Sequence, residues 1–128
     1  MKRRTFFSRL FSSLGVIPAA PVLAGGPGRS ILIQESPIAG FQFHRGAAVW
    51  SYLHVGLPVN LRREPSNEHD VNAVAVYFDT DQLGYVPRTE NQVVARMLDR
   101  GEQLAASIIR LTDDDDPWER IRIRISLV

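Results

Sequence analysis

Several short segments of this chain have the apolar or alternating pattern of β-strands. The clearest case is the segment 120–128, where Arg120, Arg122 and Arg124 alternate with isoleucines, so that one face of a strand is apolar and the other is charged. Other apolar or alternating runs of strand length are bounded by Gly, Pro, Asn or Asp. These runs predict further strands at 31–35, 58–63, 71–78, 82–86 and 104–111.

One segment has features of a helix instead. Thr89 is the expected N-cap with Gln92 three residues later, Gly101 is the expected stop, and one helix side is apolar through Val93, Val94, Met97 and Leu98. We therefore expect a helix over about 90–100. Short strands around a single helix predict a mainly β domain, a small closed or partly closed barrel without alternating βαβ units.

The first 24 residues have the pattern of an export signal. Arg3 and Arg4 precede Thr5-Phe6-Phe7 as in twin-arginine signals, and a mildly apolar run over 10–24 ends in small residues before Gly25. This run is too short to cross a bilayer. We expect removal of 1–24, export by the twin-arginine machinery, and a periplasmic mature protein without a stable membrane anchor. The alternative is a basic N-terminal arm on a cytoplasmic protein.

Charge and composition restrict the chemistry of the remaining 104 residues. They contain 11 arginines against 14 acids, a net charge of −3, so any nucleic-acid binding must be local. The absence of cysteine excludes thiolate zinc sites, iron–sulfur clusters and a cysteine nucleophile. Neither a phosphate-binding loop nor a nucleophile elbow is present, and the three histidines match no metal motif. We expect a binding protein that is not an enzyme and that uses no cofactor or metal.

Residues 63–87 contain an ordered motif. Arg63-Glu64-Pro65 is followed by Asn67, Asp70, Asn72-Ala73, an apolar strand and Gly84-Tyr85. This order resembles the signature of the HIRAN domain family, with a weaker likeness over about 38–111. The resemblance implies an OB-like modified β-barrel over 38–128, preceded by a flexible lead and first strand over 25–37. It also implies a nucleic-acid-binding module that captures 3′-hydroxyl ends of single-stranded DNA.

The resemblance further implies the ligand-binding residues. Asn67 and Asp70 would hydrogen-bond the terminal sugar and base, and Tyr85 would line the opposite wall. Stacking would come from Phe43, His69 or Tyr85. Apart from the resemblance, the cations of the sequence that could attract phosphate here are Arg62, Arg63 and Arg88. Gln42 stands where DNA-binding members carry arginine, which lowers the phosphate affinity to be expected.

Two alternatives remain open at this point. Asn67, Asp70 and Asn72 can each bond nearby backbone groups, so they can serve to brace the loop before the 71–78 strand. At the level of function, the alternative is an extracytoplasmic binding or assembly protein whose pocket has been retuned for a ligand other than nucleic acid. Export and the net charge of −3 favour that alternative, whereas Asn67, Asp70 and Tyr85 favour DNA.

Overall fold

Antiparallel strands dominate the part of the chain that the computed structural model describes, residues 29–128. In chain order the strands are β1 (Ile31–Pro37), β2 (Pro58–Arg63), β3 (Val74–Phe78), β4 (Asp81–Tyr85), β5 (Leu104–Leu111) and β6 (Ile121–Leu127). They form one sheet in the order β1-β6-β5-β2-β3-β4, and each neighbouring pair is antiparallel. The expected mainly β fold is confirmed. The expected export signal, residues 1–24, lies outside the described residues.

Short helical elements connect the strands. The α-helices are α1 (Gly46–Val49) and α2 (Gln92–Asp99), and the 3-10 turns are Phe41–Phe43, Trp50–Tyr52, Arg88–Glu90 and Pro117–Glu119. No helix within residues 29–128 is long and apolar enough to span a membrane.

Helix α2 begins later than the sequence predicted. Thr89 belongs to the 3-10 turn Arg88–Glu90, so it does not cap the helix, and Asn91 occupies the N-cap position. The prediction that Val93 lies on the buried side is also wrong, because Val93 is 57% exposed. The buried residues of the helix are Val94 and Ala95. The buried side of α2 is therefore centred on Val94, Ala95 and the partly buried Leu98, and Val93 lies outside it.

Two strand boundaries differ from expectation by two residues or more, and those of β4 and β6 differ by one. β1 continues to Pro37, where a turn was expected, because Ser36 and Pro37 still pair with β6. β3 begins at Val74 instead of residue 71, because the three residues before it belong to a hydrogen-bonded loop and Val71 is 68% exposed. Val71 was included in the predicted strand because it is apolar, but it lies in the exposed loop before the strand.

The core is formed by the inward faces of the strands, one side of α2 and the buried apolar residues of the segment 38–53. Ile121, Ile123 and Ile125 of β6 are almost fully buried, as the alternation with arginine predicts. Burial of an isoleucine side chain contributes about 1.5–3 kcal/mol, so this one face is a major part of the stability. The other fully or nearly fully buried apolar residues include Ile38, Val74, Val76, Leu83, Val94 and Ile108.

The two edges of the sheet meet at a short seam, Ala39 and Tyr85. Ala39 lies two residues beyond β1 and exchanges both backbone hydrogen bonds with Tyr85 of β4, at 2.8 and 2.9 Å. Gly84 permits this approach, because a Cβ there would collide with the carbonyl oxygen of Ala39. The seam closes the sheet into a barrel, and the pocket described next lies beside it.

Candidate ligand-binding site

A cavity of about 290 Å³ opens beside the seam. Five of the six residues expected to bind ligand line it: Phe43, Asn67, His69, Asp70 and Tyr85. The remaining lining residues are Ala39, Gly40, His44, Ala73, Val86 and Arg88. The cavity therefore combines aromatic rings with amide, carboxylate and hydroxyl groups.

One wall is the polar loop, residues 64–73, which its own side chains hold in shape. The Oδ1 atom of Asn67 accepts hydrogen bonds from the backbone N–H of His69 at 2.8 Å and of Asp70 at 3.1 Å. The Oδ1 atom of Asp70 accepts from the N–H of Asn72 at 2.9 Å. Asn67 and Asp70 thus brace the loop and also line the cavity. Asn72 takes part in this bracing through its backbone N–H, and its own side chain is not used.

Glu64 connects the polar loop to the seam. Its Oε1 atom accepts hydrogen bonds from the hydroxyl of Tyr85 at 2.8 Å and from Nδ2 of Asn67 at 3.0 Å. Burial raises the pKa of Tyr85, a hydrogen bond with Gln82 opposes this, and the hydrogen bond and charge of Glu64 raise the pKa further. Tyr85 therefore remains a neutral donor at physiological pH, and Glu64 holds its ring and the Asn67 amide together.

Another side of the cavity is lined by Gly40, Phe43 and His44, which belong to the segment 40–53, here called the aromatic wall. Phe43 lies at the rim with 78% of its surface exposed, whereas Phe41 in the same turn is 3% exposed and packs in the core. The ring of Phe41 meets Trp50 edge to face, with centroids 5.8 Å apart. His44 meets Tyr85 in a similar way at 5.6 Å. The sequence did not predict these short helical turns, and it did not identify His44 as a lining residue.

The arginines near the motif have different roles. Arg63 does not line the cavity: its guanidinium binds both carboxylate oxygens of Asp99, at 3.0 and 3.2 Å, and the carbonyl of Ala73 at 3.0 Å. It therefore joins β2 to α2 instead of facing a ligand. Arg62 lies over the ring of Tyr77 at 3.9 Å. Arg88 lines the cavity and has no acidic partner within residues 29–128.

Asn91 contacts the polar loop, which the sequence did not indicate. Its Nδ2 atom donates to the Oδ2 atom of Asp70 at 2.7 Å, across 21 residues of sequence. Asn91 is only 2% exposed. Within residues 29–128, no three histidine or acidic side chains are placed to hold a metal ion.

Most of the chain matches the model of a protein family. The HIRAN domain model matches residues 31–128. A crystal structure of a protein from Lactobacillus plantarum has a TM-score of 0.67 at 26% identity, over 77% of this chain and 94% of that one. The HIRAN domain of human HLTF has a TM-score of 0.60 at 18% identity, over 79% and 80% of the two chains, a likeness that shows the fold alone. No curated protein sequence matches this chain.

Proposed function

Because the chain belongs to the HIRAN domain family, whose members are in general DNA-binding modules, we propose that its pocket binds the 3′-hydroxyl end of single-stranded DNA. The observation that carries this proposal is the convergence of Phe43, Asn67, Asp70 and Tyr85 on one cavity. Aromatic rings stack on bases of any sequence, and amide and carboxylate groups bind sugar hydroxyls. We therefore expect the protein to act by binding DNA, as HIRAN domains in general do.

The size of the cavity favours a terminal nucleotide. At about 290 Å³ it lies near the lower end of small-molecule sites, which span roughly 300–1,000 Å³. A volume of this size is comparable to that of a single nucleoside, so we expect further bases to lie outside the cavity. The exposed ring of Phe43 at the rim is placed to stack on a base, a contact that contributes about 1–3 kcal/mol in single-strand binding.

Asp70 supplies the preference for a hydroxyl end. Its two oxygens each accept one internal hydrogen bond, and a carboxylate has about four acceptor sites, so each oxygen can accept one more. A terminal hydroxyl donates to such a site. A 3′-phosphate would place a second negative group beside the carboxylate, and like charges in a partly buried site are unfavourable.

Arg88 is the cation best placed for a phosphate group. Arg62 and Arg63 are engaged elsewhere, on Tyr77 and Asp99. With one phosphate contact to a single strand, log K should fall with log salt at a slope of about −0.7. We expect weak binding with a shallow salt dependence, because the domain as a whole carries a net charge of −3.

Fluorescence anisotropy with short oligonucleotides tests the proposal. The domain should bind a 3′-hydroxyl oligonucleotide at micromolar protein and low salt, and should bind the 3′-phosphate form at least about tenfold more weakly, a difference of 1.4 kcal/mol. Asp70→Ala should bring the two affinities within about threefold. Asp115→Ala removes the same charge from an exposed loop distant in sequence and should keep the preference. Equal binding of both ends by the unchanged protein, or no binding, contradicts the proposal.

We also propose that the protein acts in the periplasm, on the basis of the twin-arginine pattern in residues 1–24. N-terminal mass spectrometry of fractionated cells should find a product that begins at Gly25. A full-length cytoplasmic product that is insensitive to Arg3→Lys with Arg4→Lys contradicts this. If the DNA test fails, the second candidate is an extracytoplasmic binding or assembly protein whose pocket takes a ligand other than nucleic acid. The net charge of −3 and the glutamine at position 42, in the place of the family's arginine, favour it.

A further inference from the structure

Asn91 occupies a helix N-cap position but does not cap the helix. Asparagine is among the best N-cap residues, because its side-chain oxygen accepts from the free N–H groups of the first turn. Here the side chain makes no such bond to α2. The backbone of Asn91 is already helical, with φ −97° and ψ −7°, whereas capping residues are usually extended. The side chain of Asn91 is instead directed to another contact, which its amide NH₂ makes.

That contact is the carboxylate of Asp70. The group of Asn91 that lies 2.7 Å from Oδ2 must be the amide NH₂, because an ionised carboxylate can only accept. The other oxygen of Asp70 accepts from the N–H of Asn72 at 2.9 Å. Two donors, one on each oxygen, fix the rotation of the carboxylate plane. Asn91 is 2% exposed, so water does not compete freely for this bond.

The polar loop has sufficient hydrogen bonds of its own without Asn91. The Asn67 side chain holds the N–H groups of His69 and Asp70, and backbone bonds link Ala73 to Asp70 and Glu64 to Ala73. What Asn91 adds is a second fixed point on the one carboxylate that lines the cavity.

We infer that Asn91 is a positioning residue, which orients the Asp70 carboxylate and thereby determines how strongly the pocket prefers a hydroxyl end. This inference rests on the proposed function, since the preference is for the end of a DNA strand. By this inference, a residue at the start of α2, outside the 63–87 motif, contributes to the specificity of the pocket.

Asn91→Ser separates positioning from helix stability. Serine is as good an N-cap as asparagine, but its side chain is too short to replace the amide of Asn91 at Asp70. Gln92→Ala, at the next and exposed position, is the matched control. We expect Asn91→Ser to reduce the preference for the 3′-hydroxyl over the 3′-phosphate oligonucleotide from at least tenfold to threefold or less. Gln92→Ala should leave it unchanged.

A measurement without DNA keeps the two proposals apart. The backbone amide of Asn72 bonds the same carboxylate, so its ¹H–¹⁵N NMR signal reports a change in orientation. It should shift in Asn91→Ser and stay in place in Gln92→Ala. An Asn91→Ser protein with the wild-type preference and an unmoved Asn72 signal overturns the inference alone. If the wild-type protein shows no preference for the 3′-hydroxyl oligonucleotide, the proposed function and the role of Asn91 in specificity are both overturned. The Asn72 signal then tests only whether Asn91 orients the Asp70 carboxylate.

Discussion

The two walls of the pocket are both irregular in backbone, yet they are held by different forces. The polar loop, 64–73, is held by hydrogen bonds that its backbone N–H groups donate to the side-chain oxygens of Asn67 and Asp70, and Ala73 is its one buried residue. The aromatic wall, 40–53, is held by apolar packing, with Phe41, Val49 and Leu53 in the core.

The difference affects how each wall responds to substitution. Hydrogen bonds to backbone groups require particular atoms at particular positions, so few residue types can replace Asn67. Apolar packing requires volume and shape, and many sequences satisfy it. A substitution in the polar loop should therefore cost the stability of the hydrogen bonds it removes. A substitution in the aromatic wall should cost stability according to the buried volume it removes. The following substitutions test this contrast.

The largest effect should come from the aromatic wall. Phe41→Ala removes a ring that is 3% exposed, and such truncations cost about 3–5 kcal/mol. Phe43→Ala, two residues away and 78% exposed, should change stability by less than about 0.5 kcal/mol. Urea denaturation measures both. In the binding assay Phe43→Ala should weaken DNA binding by about 1–3 kcal/mol. Similar stabilities for the two variants would contradict the packing role given to Phe41.

The second effect tests the seam between the walls. Gly84→Ala should destabilise the protein by about 1–3 kcal/mol more than Gly56→Ala, since overcrowding adds to backbone strain. Both glycines have positive φ, but a Cβ at Gly56 meets nothing within 4 Å, whereas one at Gly84 meets Ala39. Thermal denaturation of the two variants measures the difference. Equal losses would mean that close approach at Ala39 is not what requires glycine.

The third effect tests the polar loop. Asn67→Ala leaves the N–H groups of His69 and Asp70 without their acceptor and should cost about 1–2 kcal/mol. Asn72→Ala is the matched control, because the Asn72 side chain makes no hydrogen bond within the described part of the chain, and it should cost less than about 0.5 kcal/mol. Urea midpoints decide between them. A larger loss in Asn72→Ala would contradict the bracing described for the loop.

The smallest effect concerns Tyr85, which contacts both walls. Tyr85→Phe removes the hydrogen bond to Glu64 and should cost about 0.5–1.5 kcal/mol at pH 8. Because the folded state raises the pKa of Tyr85, the stability from its neutral form is complete below the unfolded value near 10 and is lost as pH rises through the folded value. Urea midpoints between pH 8 and 11 should fall less in Tyr85→Phe than in wild type. Tyr52→Phe, at an exposed residue, should follow wild type.

The same contrast explains how far the sequence could predict the fold. The strands were predictable because their apolar or alternating runs have strand length and are bounded by turn residues, as in Pro58–Arg63 and Leu104–Leu111, where both boundaries are correct. The aromatic wall was not predictable. Its helical turns are three or four residues long, too short to establish a period.

The site was predictable where its residues belong to the motif and unpredictable where only packing brings them together. Asn67, Asp70 and Tyr85 were predicted from the motif and line the cavity. Arg63 belongs to the same motif, but its position at the end of β2 directs it to Asp99 of α2, which sequence order does not show. Asn91 had no sequence signal, since its contact with Asp70 arises only from the placement of α2 beside the loop.

The pairing of β1 with β6 has a consequence during protein synthesis. Ile31 lies opposite Leu127, so the first strand has its ladder partner almost a hundred residues later in the chain. Such long-range pairing slows folding, because the chain must close a large loop before any contact is gained. On the ribosome, β1 has to wait for the residues of β6 to emerge. The Ala39–Tyr85 seam, and with it the pocket, therefore takes its final shape only after translation of this region is complete.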